Sequence, residues 1–139
     1  MSEDLGHLAN AVRTTCQQVS RRVRFEANPE LAPHHAGVLF KLLDGSRTPS
    51  ELADLERVAA PSMTRTVNCL VERGLVSLSG NPNDGRSKLV SLTDAGQDAL
   101  EQTVRARDDW MMQRLAGLSE ADQEVLRAAT EVLNRVLDA

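Results

Sequence analysis

The 139-residue chain predicts a mainly helical fold with one small antiparallel β-hairpin, and three observations predict it. Aromatic residues make up only 2% and tyrosine is absent, so the core has to come from Leu, Val, Ala and Met, a set that favours helices. Apolar residues recur at steps of three and four through most of the chain, the spacing of one helical face. The exception is a stretch where Leu75-Val76-Ser77-Leu78 and Leu89-Val90-Ser91-Leu92 flank a run dense in Gly, Asn, Pro and Asp, which reads as two strands around a loop from Ser79 to Lys88. A chain of this length and 41% hydrophobic content is expected to form one unit over residues 1–139.

The elements follow in order. Leu5, Leu8, Val12, Cys16, Val19 and Val23 lie on one stripe of a long first helix, which ends before Asn28-Pro29. Pro33 suits the first turn of a second helix carrying Val38, Leu39, Leu42 and Leu43, stopped by Asp44-Gly45. Thr48-Pro49-Ser50-Glu51 is a capping box: a threonine that can cap, a proline that needs no amide partner, and a glutamate that can bond back. The short third helix that follows buries Leu52 and Leu55, and the chain turns between Arg57 and Ala60 before Pro61 opens a fourth. In the fourth, Met63, Val67, Leu70 and Val71 form the buried stripe, while Ser62, Thr64, Arg65, Thr66, Asn68 and Glu72 face outward until Gly74 closes the helix. Two short helices joined by a tight turn, the second with a polar outer face, are a helix-turn-helix, and the hairpin behind them is a wing bearing Arg86 and Lys88. Thr93 caps a fifth helix through Leu100, Val104, Met111 and Leu115. Ser119, with Asp122 as its capping-box partner, opens a sixth that buries Val125, Leu126, Ala129, Val132, Leu133, Val136 and Leu137.

Net charge is −4, but its distribution is uneven. Between Arg57 and Lys88 the charged residues are Arg57, Arg65, Arg73, Arg86 and Lys88 against Glu72 and Asp84, a local +3 within an acidic remainder of −7. A positive segment centred on the helix-turn-helix and wing is the footprint expected of a phosphate-binding surface. The Ser2-Glu3-Asp4 start resembles no targeting signal, and no apolar run approaches the roughly 20 residues that span a bilayer, so a cytoplasmic protein is expected. Cys16 and Cys69 fit no metal or dithiol motif, and His7, His34 and His35 lack ligand spacing, so no metal or cofactor is expected. No nucleophile, base and orienting group can be named together, which argues against an enzyme.

Ala60-Pro61-Ser62-Met63-Thr64-Arg65, Leu70-Val71-Glu72-Arg73-Gly74-Leu75-Val76, Asn81-Pro82-Asn83-Asp84-Gly85-Arg86 and Leu92-Thr93-Asp94-Ala95-Gly96 together resemble the MarR family of bacterial transcriptional regulators. The resemblance covers essentially the whole chain. It implies a winged helix-turn-helix over about 33–92, with helices over about 1–30 and 93–139 that form a homodimer on a pseudo-palindromic double-stranded DNA operator. Half-sites would then lie about one helical turn apart. Ser62, Thr64, Arg65 and Asn68 would enter the major groove, with Arg65 suited to a bidentate guanine contact. Arg86 would reach the minor groove, held by an ion pair to Asp84, and Lys88 and Arg73 would neighbour phosphates. Where members commonly carry basic residues, this chain has Leu78, Ser79 and Gly85, which lowers the expected non-specific affinity and salt dependence.

The same resemblance implies a repressor released by a small lipophilic or phenolic effector, bound between the dimer helices and the reading head. Candidate lining residues are Cys16, His35, Leu39, Trp110 and Met111. Two alternatives accompany it. The thinned charge of the wing suits a winged-helix ligand-binding or protein-interaction module with weak or lost DNA binding. A first-helix thiol suits a redox sensor through Cys16, against which stand its place on the apolar stripe and the absence of any tyrosine to orient it.

Overall fold

A computed structural model describes residues 3–28 and 30–139; Met1, Ser2 and Pro29, on which parts of the expected start and first boundary fall, lie outside the described residues. The order is α1 (Glu3–Glu26), α2 (Pro33–Lys41), α3 (Pro49–Glu56), α4 (Ala60–Glu72), β1 (Val76–Asn81), β2 (Asp84–Leu92), α5 (Asp94–Ala116) and α6 (Glu120–Asp138).

The sequence signals act as local physics requires. Thr48 Oγ1 accepts from the Glu51 amide at 3.1 Å while Glu51 Oε1 receives the Thr48 amide at 3.4 Å, so both ends of the capping box close over Pro49. Arg57 ends α3 in the left-handed region at φ 56°, and Gly74, at φ 74°, turns the chain out of α4. Thr93 Oγ1 accepts from the Gly96 amide at 3.0 Å and donates to the Gly74 carbonyl at 2.6 Å, joining the start of α5 to the end of α4. Ser119 caps α6 by accepting from the Asp122 amide at 3.1 Å.

The core is assembled between Leu31 and Leu100. Leu39 and Leu52 from α2 and α3, Met63, Val67 and Leu70 from α4, Val76 and Val90 from the hairpin and Leu100 from α5 are buried together. Each large side chain contributes about 1.5–3 kcal/mol of apolar transfer. The hairpin is fixed to this core by a bridge in which Arg47 and Val90 exchange backbone hydrogen bonds of 3.1 and 2.8 Å. On the other side, Thr103 is buried, donating to the Ala99 carbonyl and accepting from Asn28 at 3.0 Å, which moors the segment after α1 to α5.

Several expectations are corrected. The strands are longer than the alternation indicated: they pair from Val76↔Leu92 to Gly80↔Lys88, with an irregularity before Asn81↔Asp84, so only Pro82 and Asn83 lie outside them. Helix α2 stops at Lys41, before the expected Asp44-Gly45. Leu43, Leu55, Val71 and Val104 are exposed, because Ala53 rather than Leu55 completes the inward face of α3 and the buried stripe of α4 is three residues wide. The apolar stripes of α1 and α6 bury no residue within one chain, and Val125, Leu126, Val132, Val136 and Leu137 are all open. Periodicity shows that a face is apolar; it does not show that this chain covers it.

Candidate nucleic-acid interface

Helix α4 projects its polar face because Met63, Val67 and Leu70 pin the opposite one. At 3.6 residues per turn, Arg65 and Asn68 stand opposite that stripe, both exposed, with Ser62 on one flank and Thr64 on the other. Arg65 Nη2 donates to Ser62 Oγ at 3.2 Å, which draws the guanidinium back toward the start of the helix, and the Thr64 hydroxyl donates to the Ala60 carbonyl at 3.0 Å. Glu72 shares the outward face one turn beyond Asn68 and places a carboxylate there.

Arg86 and Lys88 are exposed on β2. The expected Asp84–Arg86 ion pair is replaced by a different contact. Asp84 Oδ1 accepts from the Arg86 backbone amide at 2.9 Å, and no ion pair joins the two side chains among the described residues. Asn81 repeats this at the tip, accepting from the Asn83 amide at 3.0 Å and donating to Ser87 Oγ at 2.9 Å. Asp84 thus shapes the backbone from which Arg86 extends and leaves the guanidinium free.

Arg73, expected beside a phosphate, lies past the end of α4 and donates to His35 Nδ1 at 3.5 Å and to the Glu30 carbonyl at 3.4 Å. Burial, then the charges of His34 and Arg73, hold the His35 imidazole below its ordinary value.

Within one chain the five candidate effector residues have different surroundings. Leu39 is wholly within the core, Cys16 is exposed on α1, and His35 borders a cleft with α4. Met111 is half-buried on α5. Trp110 sits under Arg114, whose guanidinium carbon is 3.5 Å from the ring centroid, with Arg22 at 5.6 Å on the α1 side. Glu26 joins both arginines, to Arg22 at 2.7 Å and to Arg114 at 3.7 Å, and Arg22 foremost holds its carboxyl below the usual range. The buried Trp110 Nε1 has no hydrogen-bond partner of ordinary geometry among the described residues. Sequence reasoning missed the apolar cleft between α2 and α5, about 340 Å³, where Phe40, Leu43, Leu100 and Val104 come together. Spacing shows Leu43 and Val104 only as apolar positions of two separate helices, and only the three-dimensional approach of α2 to α5 reveals the cleft.

Helices α3 and α4 with the hairpin behind them define a winged helix-turn-helix protein. The family model for MarR matches residues 30–87. An uncharacterized HTH-type transcriptional regulator of Mycobacterium bovis is 31% identical over 140 residues, covering 99% of this chain and 98% of the relative. One from Mycobacterium leprae is 32% identical over 142 residues with the same coverage. Among solved structures, wild-type MarR from Escherichia coli in its apo form aligns at TM-score 0.74 with 25% identity over 91% of this chain and 95% of that one. YusO from Bacillus subtilis aligns at TM-score 0.72 with 25% identity over the whole of both. The chain belongs to the MarR family of helix-turn-helix transcriptional regulators. No described helix is long and apolar enough to cross a membrane.

Proposed function

We propose that the chain is a cytoplasmic, sequence-specific repressor that works as a homodimer, placing α4 in the major groove and the wing in the minor groove of a pseudo-palindromic operator. The observation that carries this is the exposed Arg65–Asn68 face of α4 within a positive segment of an acidic chain, followed by a hairpin bearing Arg86 and Lys88. Ser62, Thr64, Arg65 and Asn68 read bases; Arg86 enters the minor groove; Lys88 and Arg73 neighbour phosphates. The reading head is residues 33–92. The flanking helices, with the open apolar stripes of α1 and α6, supply the surface for a second copy.

Release by a lipophilic effector finds its support in the Phe40–Leu100 cleft, which lies between the reading head and α5. A ligand that fits it in only one relative placement of these helices shifts the dimer toward that placement. The redox alternative rests on the exposure of Cys16, and it predicts peroxide-sensitive binding lost in Cys16→Ser.

Selection of bound genomic fragments, followed by fluorescence anisotropy on the selected duplex, tests the reading. Arg65→Ala and Arg86→Ala are each expected to weaken specific binding, Arg65→Ala by about 1–3 kcal/mol with relaxed base preference. Unaltered affinity in both variants sinks it, and a dimer that selects no fragment yet binds a cell metabolite supports the module that has lost DNA recognition.

A further inference from the structure

A cleft of about 310 Å³ runs along one flank of α4, lined by His34 and His35 from the first turn of α2 and by Ser62, Arg65 and Thr66 from α4. The two imidazoles stand 4.3 Å apart between centroids and are tilted by 59°. Arg73 adjoins the cleft through its contact with His35 and is itself anchored to the Glu30 carbonyl. Among the described residues no carboxylate lines this cleft. One guanidinium, two imidazoles and two hydroxyls around an open hollow, with the Arg73 guanidinium against His35, are donors to a tetrahedral oxyanion: charge-assisted from the arginines, neutral from Ser62 and Thr66.

The position of Arg65 selects the source of that oxyanion. Its guanidinium belongs both to the outward face of α4 and, through Ser62, to the cleft, so an anion seated here is continuous with whatever α4 reads. A backbone phosphate beside the major groove satisfies both at once. Resting on the DNA-binding reading above, we propose that His34, His35 and Arg73, beside the base-reading Arg65, form a DNA-phosphate site on the flank of α4, and that DNA draws a proton onto His35 as it binds.

The surrounding charges give the direction. His34 also borders the adjoining cleft of about 560 Å³, where Arg21 and Arg24 of α1 and Glu56 of α3 face it; His35 faces His34 and Arg73. Burial, then the charges of His34 and Arg73, hold the His35 imidazole below its ordinary value in the free protein, and Nδ1 accepts from Arg73. A phosphate monoanion in the cleft favours the imidazolium, so protons are taken up and affinity rises as pH falls from about 8 to about 6.

Anisotropy of a fluorescein-labelled mixed-sequence duplex, measured over a salt series at both ends of that pH range, tests the site on the full chain. Wild type is expected to bind more tightly at the lower pH. The double variant His34→Gln, His35→Gln is expected to lose about 3- to 10-fold there, with a salt slope shallower by about 1 and a flattened pH profile. Circular dichroism checks the fold, and His35→Gln alone carries the same test if the double variant unfolds. An unchanged slope and pH profile in a folded variant, with wild type still binding, overturns the site and leaves the DNA reading intact. No binding by wild type at low salt removes both. If inorganic phosphate shifts the imidazole NMR resonances while the duplex is indifferent to the histidines, the cleft holds a free anion and the proposal is overturned.

Discussion

The hydroxyl of Thr93 donates to the carbonyl of Gly74 at 2.6 Å, so one side chain both caps α5 and holds the end of α4 against the base of the hairpin. Thr93→Val keeps the shape and removes both bonds. Its cost is expected to be about 1–3 kcal/mol, from a lost cap and an orphaned carbonyl. Thermal denaturation at fixed protein concentration should show a melting temperature several degrees lower, and an unchanged one would show the contact to be idle.

Gly96 has no room for a side chain. A Cβ built there stands 2.1 Å from the Leu75 carbonyl oxygen and 2.8 Å from Leu92 Cδ1, and backbone cannot step aside as a side-chain tip can. Gly96→Ala is expected to destabilise by at least the ~1–3 kcal/mol usual for overpacking, although alanine is the better helix former. A melting temperature at or above wild type would contradict the close packing of α5 on the end of α4.

Asp84 offers a test of mechanism by conservative change. Because its Oδ1 accepts a backbone amide, Asp84→Asn keeps the acceptor and should retain most of the DNA affinity, whereas Asp84→Ala should lose it. Equal losses in anisotropy for the two variants would restore the ion pair to Arg86.

Acid should open the clamp between α1 and α5. The Glu26 carboxyl is held below its ordinary value of 4.5, first by its hydrogen bond from Arg22, so its contribution is complete above that value and is lost as pH falls through the lowered one. The single tryptophan, Trp110, lies under Arg114 in this clamp. Its emission is expected to change over that acid window in wild type and to be flat there in Glu26→Gln, while a transition shared by both would assign the change elsewhere.

The wing can be recharged. Leu78 and Ser79 are exposed on β1, so Leu78→Arg with Ser79→Arg adds cations without disturbing the core. Each that meets a phosphate should steepen the salt slope by about 1 in a duplex titration. An unaltered slope would place this part of the hairpin away from the DNA.

Caps and breakers were readable because they act within four residues: Thr48 with Glu51, Thr93, Ser119 and Gly74 all do what their spacing indicates. The exposed polar face of α4 was equally readable, being the complement of Met63, Val67 and Leu70. The hairpin was underestimated because Gly80 and Gly85 signal turns, yet Gly80 pairs with Lys88 in the ladder and Gly85 lies within β2 at its irregular tip, which is fastened by Asn81 and Asp84 side chains. Contacts between distant segments were not readable at all. His35 meets Arg73 across 38 positions, and nothing in either local pattern announces it. Leu39, grouped with Trp110 as one lining, is wholly buried in the core, whereas Trp110 lies under Arg114.

Arg57 is the one non-glycine residue with positive φ among the described residues, at the elbow between α3 and α4. An L-residue held there costs about 1–2 kcal/mol that glycine would not. Arg57→Gly would therefore yield a hardier protein with one cation fewer at this elbow. The elbow as it stands keeps the molecule slightly softer than its backbone requires, and any effort to engineer a robust DNA sensor from this scaffold meets that compromise first.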